Sequence, residues 1–285
     1  MIPEKFDYFA PASLEEATGV LAQNPEAKVL AGGMSLVPAM KHRLSQPPAL
    51  VDIGRIPGLD GIDVKRNGIR VGALVPHAAF VDCADLSGQP VFGETASVIG
   101  DVQVRNRGTF GGSLVHADPA ADWPALFLAL QGEATIVGSS GSRSVRADDF
   151  FVGMLTSALA PGEVLTAVDL PIERKRAGVA YAKLRQPASG FAVVGVAAQV
   201  VVDRKGRIDT ASLGVTGVNP VPFRATSVEA RLRGVEPGAD LAALCAGAEE
   251  ADPMGDLHAS EEYRGHLLGV FAARAVARAW ERARS

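Results

Sequence analysis

Lys28-Val29-Leu30-Ala31-Gly32-Gly33-Met34-Ser35-Leu36-Val37-Pro38 is the stretch on which the reading of this chain turns. Three residues with strand character run into a paired glycine, and a serine then stands where a helix N-cap is expected, with proline tolerated inside the first turn because its missing N–H has no helical partner. A glycine pair lets the main chain approach a ligand closely and aim N–H groups at negative oxygens. A second pair, Gly111-Gly112, lies in Thr109-Phe110-Gly111-Gly112-Ser113, and no other two of the 31 glycines are adjacent. Two such loops in one half of a chain predict a pyrophosphate held by N–H groups from two sides.

Outward from these loops the pattern mixes helix and strand. Ser13-Leu14-Glu15-Glu16 is a capping box that opens a helix to about Gln23. Residues 49–53 read as a strand, and residues 62–71 alternate around Asn67-Gly68, a strong hairpin signal. Helical patterns cover 76–83 and 93–99, and a second hairpin joins 134–137 to 144–146. Beyond about residue 174 the pattern is antiparallel sheet: 181–184, the apolar run 192–202, a turn at Asp203-Arg204-Lys205-Gly206, then 208–215. Helices follow at 228–233, 241–251 and 260–284, the last with Leu267, Leu268, Phe271, Ala275, Val276 and Trp280 at helical spacing, the stripe of a helix packed on a core.

Composition narrows the function. The 285 residues are enough for two domains, and 47% apolar with 21% charged residues is an ordinary globular balance. Net charge is -4 without a basic cluster beyond Glu173-Arg174-Lys175-Arg176, which reads as a solvated loop, so nucleic acid is not indicated. The longest apolar stretch, 191–202, is far shorter than the roughly 20 residues that span a bilayer, and the N-terminus lacks a secretory pattern, so a cytoplasmic location is expected. Two cysteines, Cys83 and Cys245, cannot ligate an iron–sulfur cluster alone.

The familiar phosphate-binding patterns are missing. No glycine has another two positions on, which removes Gly-x-Gly-x-x-Gly, and no Gly-Lys-Ser/Thr occurs. Each glycine pair alone is also compatible with a plain turn. What favours a nucleotide is the joining of hydroxyls, Ser35, Thr109 and Ser113, to carboxylates in His116-Ala117-Asp118-Pro119-Ala120-Ala121-Asp122, which can accept from ribose or ribityl hydroxyls. A metal site on His116, Asp118 and Asp122 is the sparser alternative. A hydrolase built on Ser113, His116 and Asp118 lacks any nucleophile elbow.

These motifs resemble the FAD-binding medium subunits of the xanthine dehydrogenase and carbon monoxide dehydrogenase family. The likeness is carried by Ala31-Gly32-Gly33-Met34-Ser35-Leu36 with Val51-Asp52-Ile53, and by Arg105-Asn106-Arg107-Gly108-Thr109-Phe110-Gly111-Gly112-Ser113-Leu114 continuing to Asp122. It extends through Tyr181-Ala182-Lys183-Leu184-Arg185, Phe191-Ala192-Val193-Val194-Gly195 and Glu262-Tyr263-Arg264.

The resemblance implies an α+β chain. Residues 1–175 would form a two-lobed FAD-binding domain of the vanillyl-alcohol-oxidase (PCMH) type, its lobes dividing near 55–60. Residues 176–285 would form a three-stranded antiparallel sheet with helices. It implies non-covalent FAD touched by Val29, Leu30, Ala31, Gly32, Gly33, Met34, Ser35, Leu36, Ile99, Thr109, Phe110, Gly111, Gly112, Ser113, Asp118, Asp122, Leu165 and Lys183. Within that set Ser35 and Ser113 would add hydroxyl bonds, Asp122 would accept from the flavin nucleotide, and Lys183 would stabilise negative charge on the reduced ring. No catalytic acid or base and no metal is expected on this chain.

The implied partners are a small [2Fe–2S] subunit and a large molybdopterin subunit, assembled as a dimer of heterotrimers, with an external electron acceptor. A self-sufficient flavin oxidase and a non-catalytic nucleotide-binding relative are the alternative readings. The chain departs from the family pattern at Gly190, where relatives often carry an acidic residue, and at Gln186-Pro187-Ala188-Ser189.

Overall fold

A computed structural model describes residues 2–172 and 175–285. Glu173 and Arg174 of the expected solvated run, and with them part of the expected domain junction, lie outside the described residues.

The first lobe is a parallel sheet in the order β1-β3-β2, built from β1 (Asp7–Phe9), α1 (Leu14–Gln23), β2 (Lys28–Leu30), α2 (Leu36–Lys41) and β3 (Ala49–Asp52). The capping box forms: Ser13 Oγ accepts from the Glu16 N–H at 3.2 Å, and the Glu16 carboxylate reaches back to the Ala12 N–H at 2.8 Å. Ala17 and Leu21 of α1 pack with Val51, Ile53, Ile56 and Leu59 into a small core of their own.

The second lobe is a five-stranded sheet whose strands lie side by side in the order 62–65, 68–72, 164–171, 133–138 and 141–146. β4 (Ile62–Lys65) and β5 (Gly68–Gly72) form the expected hairpin. A 3-10 turn (His77–Phe80) and helices α3 (Val91–Ser97), α4 (Val102–Arg107), α5 (Phe110–His116) and α6 (Trp123–Ala129) follow. Then come β6 (Glu133–Gly138), β7 (Gly141–Arg146), α7 (Ala147–Phe150), β8 (Phe151–Gly153), β9 (Thr156–Ser157) and β10 (Val164–Pro171). The main core lies here, around Phe80, Phe92, Phe110, Trp123, Phe127 and Phe150.

The last third holds β11 (Ala177–Arg185), β12 (Ala192–Val202), β13 (Ile208–Thr216) and β14 (Phe223–Arg224), then α8 (Thr226–Leu232), α9 (Leu241–Cys245) and α10 (Glu261–Arg284). Three strands were expected; the sheet has four, because two residues after the β13 turn pair back onto Gly214 and Val215. The helix expected over 241–251 is likewise short and ends at Cys245, where Ala246 turns extended.

Both faces of this sheet are covered, so period-two alternation sorts its residues between two cores. Val179, Tyr181 and Ala197 face the second lobe, while Ala180, Val194, Val196 and Ala198 face α10. Lys183 shares the odd-numbered face of β11, and the strand thereby delivers it to the second lobe.

Candidate functional site

A cavity of about 670 Å³ runs between the first and second lobes and is bounded at one end by residues 189–191 of the last third. That is within the range of cofactor sites. It is lined by Val29, Ala31, Gly32, Gly33, Met34, Ser35, Leu36, Ile99, Thr109, Gly111, Gly112, Ser113, Asp118, Asp122 and Leu165 from the expected set. Leu30, Phe110 and Lys183 are not on its wall. Phe110 is 1% exposed and lies in the aromatic core, its ring 5.0 Å from that of Trp123.

The two glycine pairs do different work. At the first, Gly33 takes φ +75°, a turn that side chains disfavour, and the loop then enters α2. Among the described residues, the N–H groups of Gly32, Gly33, Met34, Ser35 and Leu36 donate to no acceptor in the chain. Gly32 has no room for a side chain: a Cβ there would stand 2.0 Å from the Arg107 carbonyl oxygen, so this loop rests directly on the backbone leading to the second pair.

The second pair does not follow a strand and does not form a free-amide loop. It sits in the first turn of α5, after α4, with Thr109 as N-cap. Its amides are satisfied internally: Phe110 donates to Val75 O, Gly111 to Ala73 O, Gly112 to Thr109 Oγ1 and Ser113 to Thr109 O. The expected second row of N–H donors is therefore corrected, because the backbone that follows β5 and the helix cap consume them. What this pair contributes is close packing: a Cβ on Gly111 would stand 2.6 Å from the Ala73 Cβ, and one on Gly112 would stand 2.6 Å from Thr109 Oγ1.

Ser35 stands at the N-cap position of α2 but in helical conformation, and its hydroxyl makes no cap bond. It is exposed at the cavity and free to donate. Asp118 spends Oδ1 on the Ala120 N–H at 2.8 Å.

Asp122 is not a free acceptor as expected. It is 4% exposed and receives the Tyr181 hydroxyl at 2.6 Å and the Lys183 ammonium at 2.7 to 2.9 Å. Lys183 also donates to Val98 O at 3.0 Å and to Gly190 O. Its three protons are thereby engaged by the chain, and it meets the cavity through Asp122 and Gly190, which line it. Burial pushes the Asp122 carboxyl above its usual range, against the pull of Lys183 and Tyr181. Burial, then Asp122, holds the Tyr181 hydroxyl well above 10. The triad ties the Val98 and Gly190 backbones together at one end of the cavity.

Sequence reading missed His77 and the 155–164 part of the wall, and had Gly190 of the 189–191 rim only as a departure from the family pattern. His77 is 5% exposed, and its Nδ1 accepts from Trp123 Nε1 at 3.0 Å. Burial, reinforced by Arg105, lowers its pKa to about 4. Nothing in Val75-Pro76-His77-Ala78 marks it locally. At the opposite end Arg143 donates to both oxygens of Glu163, at 2.7 and 2.6 Å, and to Ala158 O, and Glu163 accepts the Ala160 N–H, bracing the 158–163 loop. Among the described residues, no three His, Cys, Asp or Glu side chains gather as a metal site. No helix among them is long and apolar enough to cross a membrane.

Comparison with known proteins agrees along the whole chain. A family model described as the FAD binding domain in molybdopterin dehydrogenase matches residues 4–173, and one described as the CO dehydrogenase flavoprotein C-terminal domain matches 179–279. The carbon monoxide dehydrogenase medium chain of Hydrogenophaga pseudoflava is 36% identical, over 99% of both chains. The 6-hydroxypseudooxynicotine dehydrogenase complex subunit alpha of Paenarthrobacter nicotinovorans is 35% identical, over 100% of this chain and 97% of its own. Among solved structures, a chain of carbon monoxide dehydrogenase from H. pseudoflava superposes with TM-score 0.94 at 36% identity, covering 99% of each chain. A chain of quinoline 2-oxidoreductase from Pseudomonas putida 86 superposes with TM-score 0.91 at 33% identity, covering 100% of each.

Proposed function

The chain belongs to the family of FAD-binding medium subunits of molybdenum hydroxylases, and from that premise we propose that it is the electron-transfer flavoprotein of a heterotrimeric complex. In this reading it takes electrons from [2Fe–2S] clusters on a small partner subunit and passes them to an external acceptor. Substrate is oxidised on a large molybdopterin subunit, and two heterotrimers pair. FAD is the cofactor of the family. Bound flavin supplies the exchange of single electrons with clusters and of one or two with an acceptor.

The observation that carries the reading is the row of five unpaired amides, Gly32 to Leu36, on the wall of the cavity that Gly112 also lines. These N–H groups are half-buried or exposed at the cavity wall, and a diphosphate supplies acceptors for several at once. Among the described residues lining the cavity, Lys28 is the one lysine or arginine. The cradle is therefore built on neutral dipoles, which suits a non-covalent cofactor whose charge changes in use.

From this centre the two ends are assigned. The apolar wall of Val29, Leu159, Val164 and Leu165 would hold the adenine, and the 158–163 loop would close over it. The isoalloxazine would lie by Ile99, Gly100, Gly190 and Phe191, where the Asp122–Lys183–Tyr181 triad fixes the wall. Exposed Val102 and Phe191 flank that end, where a partner would approach. No acid or base is asked of the chain: the buried titratable groups at the cavity, Asp122 and His77, are held by intrachain partners. We further read residues 1–175 as the PCMH-type domain and 176–285 as the C-terminal one.

Co-expression with the two partner subunits, followed by anaerobic addition of carbon monoxide, a purine, an aldehyde or an N-heterocycle, tests the assignment. One of these reduces the flavin in the complex and leaves the flavin of the isolated chain oxidised. Direct reduction of the isolated chain by an organic substrate overturns it in favour of a self-sufficient oxidase.

A further inference from the structure

We propose that His77 is a cofactor-binding residue, donating its Nε2–H to an oxygen of the diphosphate–ribityl stretch of FAD. The inference rests on the FAD reading above, and three features of the structure carry it.

The first is a fixed tautomer. An indole N–H can only donate, so the bond from Trp123 Nε1 to His77 Nδ1 requires a lone pair on Nδ1 and places the ring proton on Nε2. Trp123 cannot easily turn away, since its ring is wedged 4.8 Å from Phe80 and 5.0 Å from Phe110. The ring of His77 thus presents a neutral donor of known direction.

The second is that this donor is unused. His77 is nineteen-twentieths buried, yet Nε2 has no partner among the described residues, and it is not one of the sealed unpartnered atoms, so it opens on the cavity that His77 lines. A buried polar group without a partner is an exception that calls for one.

The third is place. The His77 N–H bonds Gly108 O at 2.9 Å, and Nε2 lies 2.8 Å from where a Gly108 Cβ would stand. Gly32 packs on the other side, its own Cβ position 2.9 Å from Gly108 Cα. The Nε2–H is therefore one backbone thickness from the amide row, beside the residue that precedes Thr109. Sustained neutrality of the ring suits this position, because a donor that does not change charge holds the cofactor equally in both of its redox states.

The test uses the full-length chain freed of flavin, with FAD and ADP as probes and urea denaturation as the control for folding. His77→Phe is expected to weaken FAD binding by about tenfold, the value of a hydrogen bond to a charged or strongly polar acceptor. His77→Gln, which can accept from Trp123 and still donate outward, stays within about threefold of wild type. His77→Phe also orphans the Trp123 N–H, so the double variant His77→Phe/Trp123→Phe removes both partners of that bond; it keeps the binding loss. Equal weakening of ADP places the bond at the diphosphate, and weakening of FAD alone places it at the ribityl chain. A folded His77→Phe chain, single or double, that binds FAD within twofold of wild type overturns the proposal. Failure of the wild-type chain to bind FAD at all overturns the underlying reading instead.

Discussion

Lys183 Nζ lies 2.7 Å from Asp122 Oδ1, each side chain 4% exposed, although one stands on β11 and the other just before α6. The pair exists because β11 alternates. Tyr181 and Lys183 share the face that meets the N-terminus of α6, where Asp122 stands. Two buried charges in contact, with Tyr181 and two backbone carbonyls taking the remaining bonds, make a bracket that a single substitution opens.

Lys183→Met is expected to cost about 3–5 kcal/mol, because it strands a buried carboxylate. Asp122→Asn/Lys183→Met restores much of this. Urea denaturation of the four combinations checks it, and strictly additive losses would show that the two side chains are not coupled.

Gly32→Ala is expected to abolish stoichiometric flavin. Its Cβ would stand 2.0 Å from the Arg107 carbonyl oxygen, and both sides of that clash are backbone, so the amide row must shift. Gly19→Ala on α1, with nothing within 4 Å, is the control and stabilises the chain by roughly 0.5–1 kcal/mol. Flavin absorbance per chain after purification separates them.

His77 gives stability a pH dependence of definite sign. Its pKa is 6.5 in the unfolded chain and about 4 when folded, so the unfolded chain takes up the proton first as pH falls. The contribution is complete above 6.5 and is lost on the way down to about 4, on the order of 3 kcal/mol in all. The urea midpoint of wild type should fall more steeply than that of His77→Gln over this window. Parallel profiles would refute it.

Arg143→Ala releases the Glu163 carboxylate and the Ala158 carbonyl that brace the loop at the proposed adenine end. FAD affinity should drop several-fold while FMN, which lacks the adenylate, binds as before. Titration of flavin fluorescence with each ligand distinguishes this from a general loss, in which both affinities fall together.

Much of this was legible in the sequence because it is local. The capping box at Ser13, the Asn67-Gly68 hairpin and the Gly32-Gly33 turn are each written within a few neighbouring residues, and each forms. The family itself was legible from two glycine motifs and their spacing. The short β14 was not, since two residues carry no period, and neither was the early end of α9.

What tertiary structure alone decided is which polar groups remain free. Both glycine pairs look alike as sequence, yet the Ala73 carbonyl and the Thr109 hydroxyl take the amides of the second while those of the first stay open. Asp122 and Lys183 were each singled out in the sequence, but that they pair with each other only the sheet decided, and His77 read as nothing until Trp123 fixed its proton. A sequence lists donors and acceptors; their availability depends on partners dozens of residues away, and only the packed chain determines which of them are left to face a cofactor.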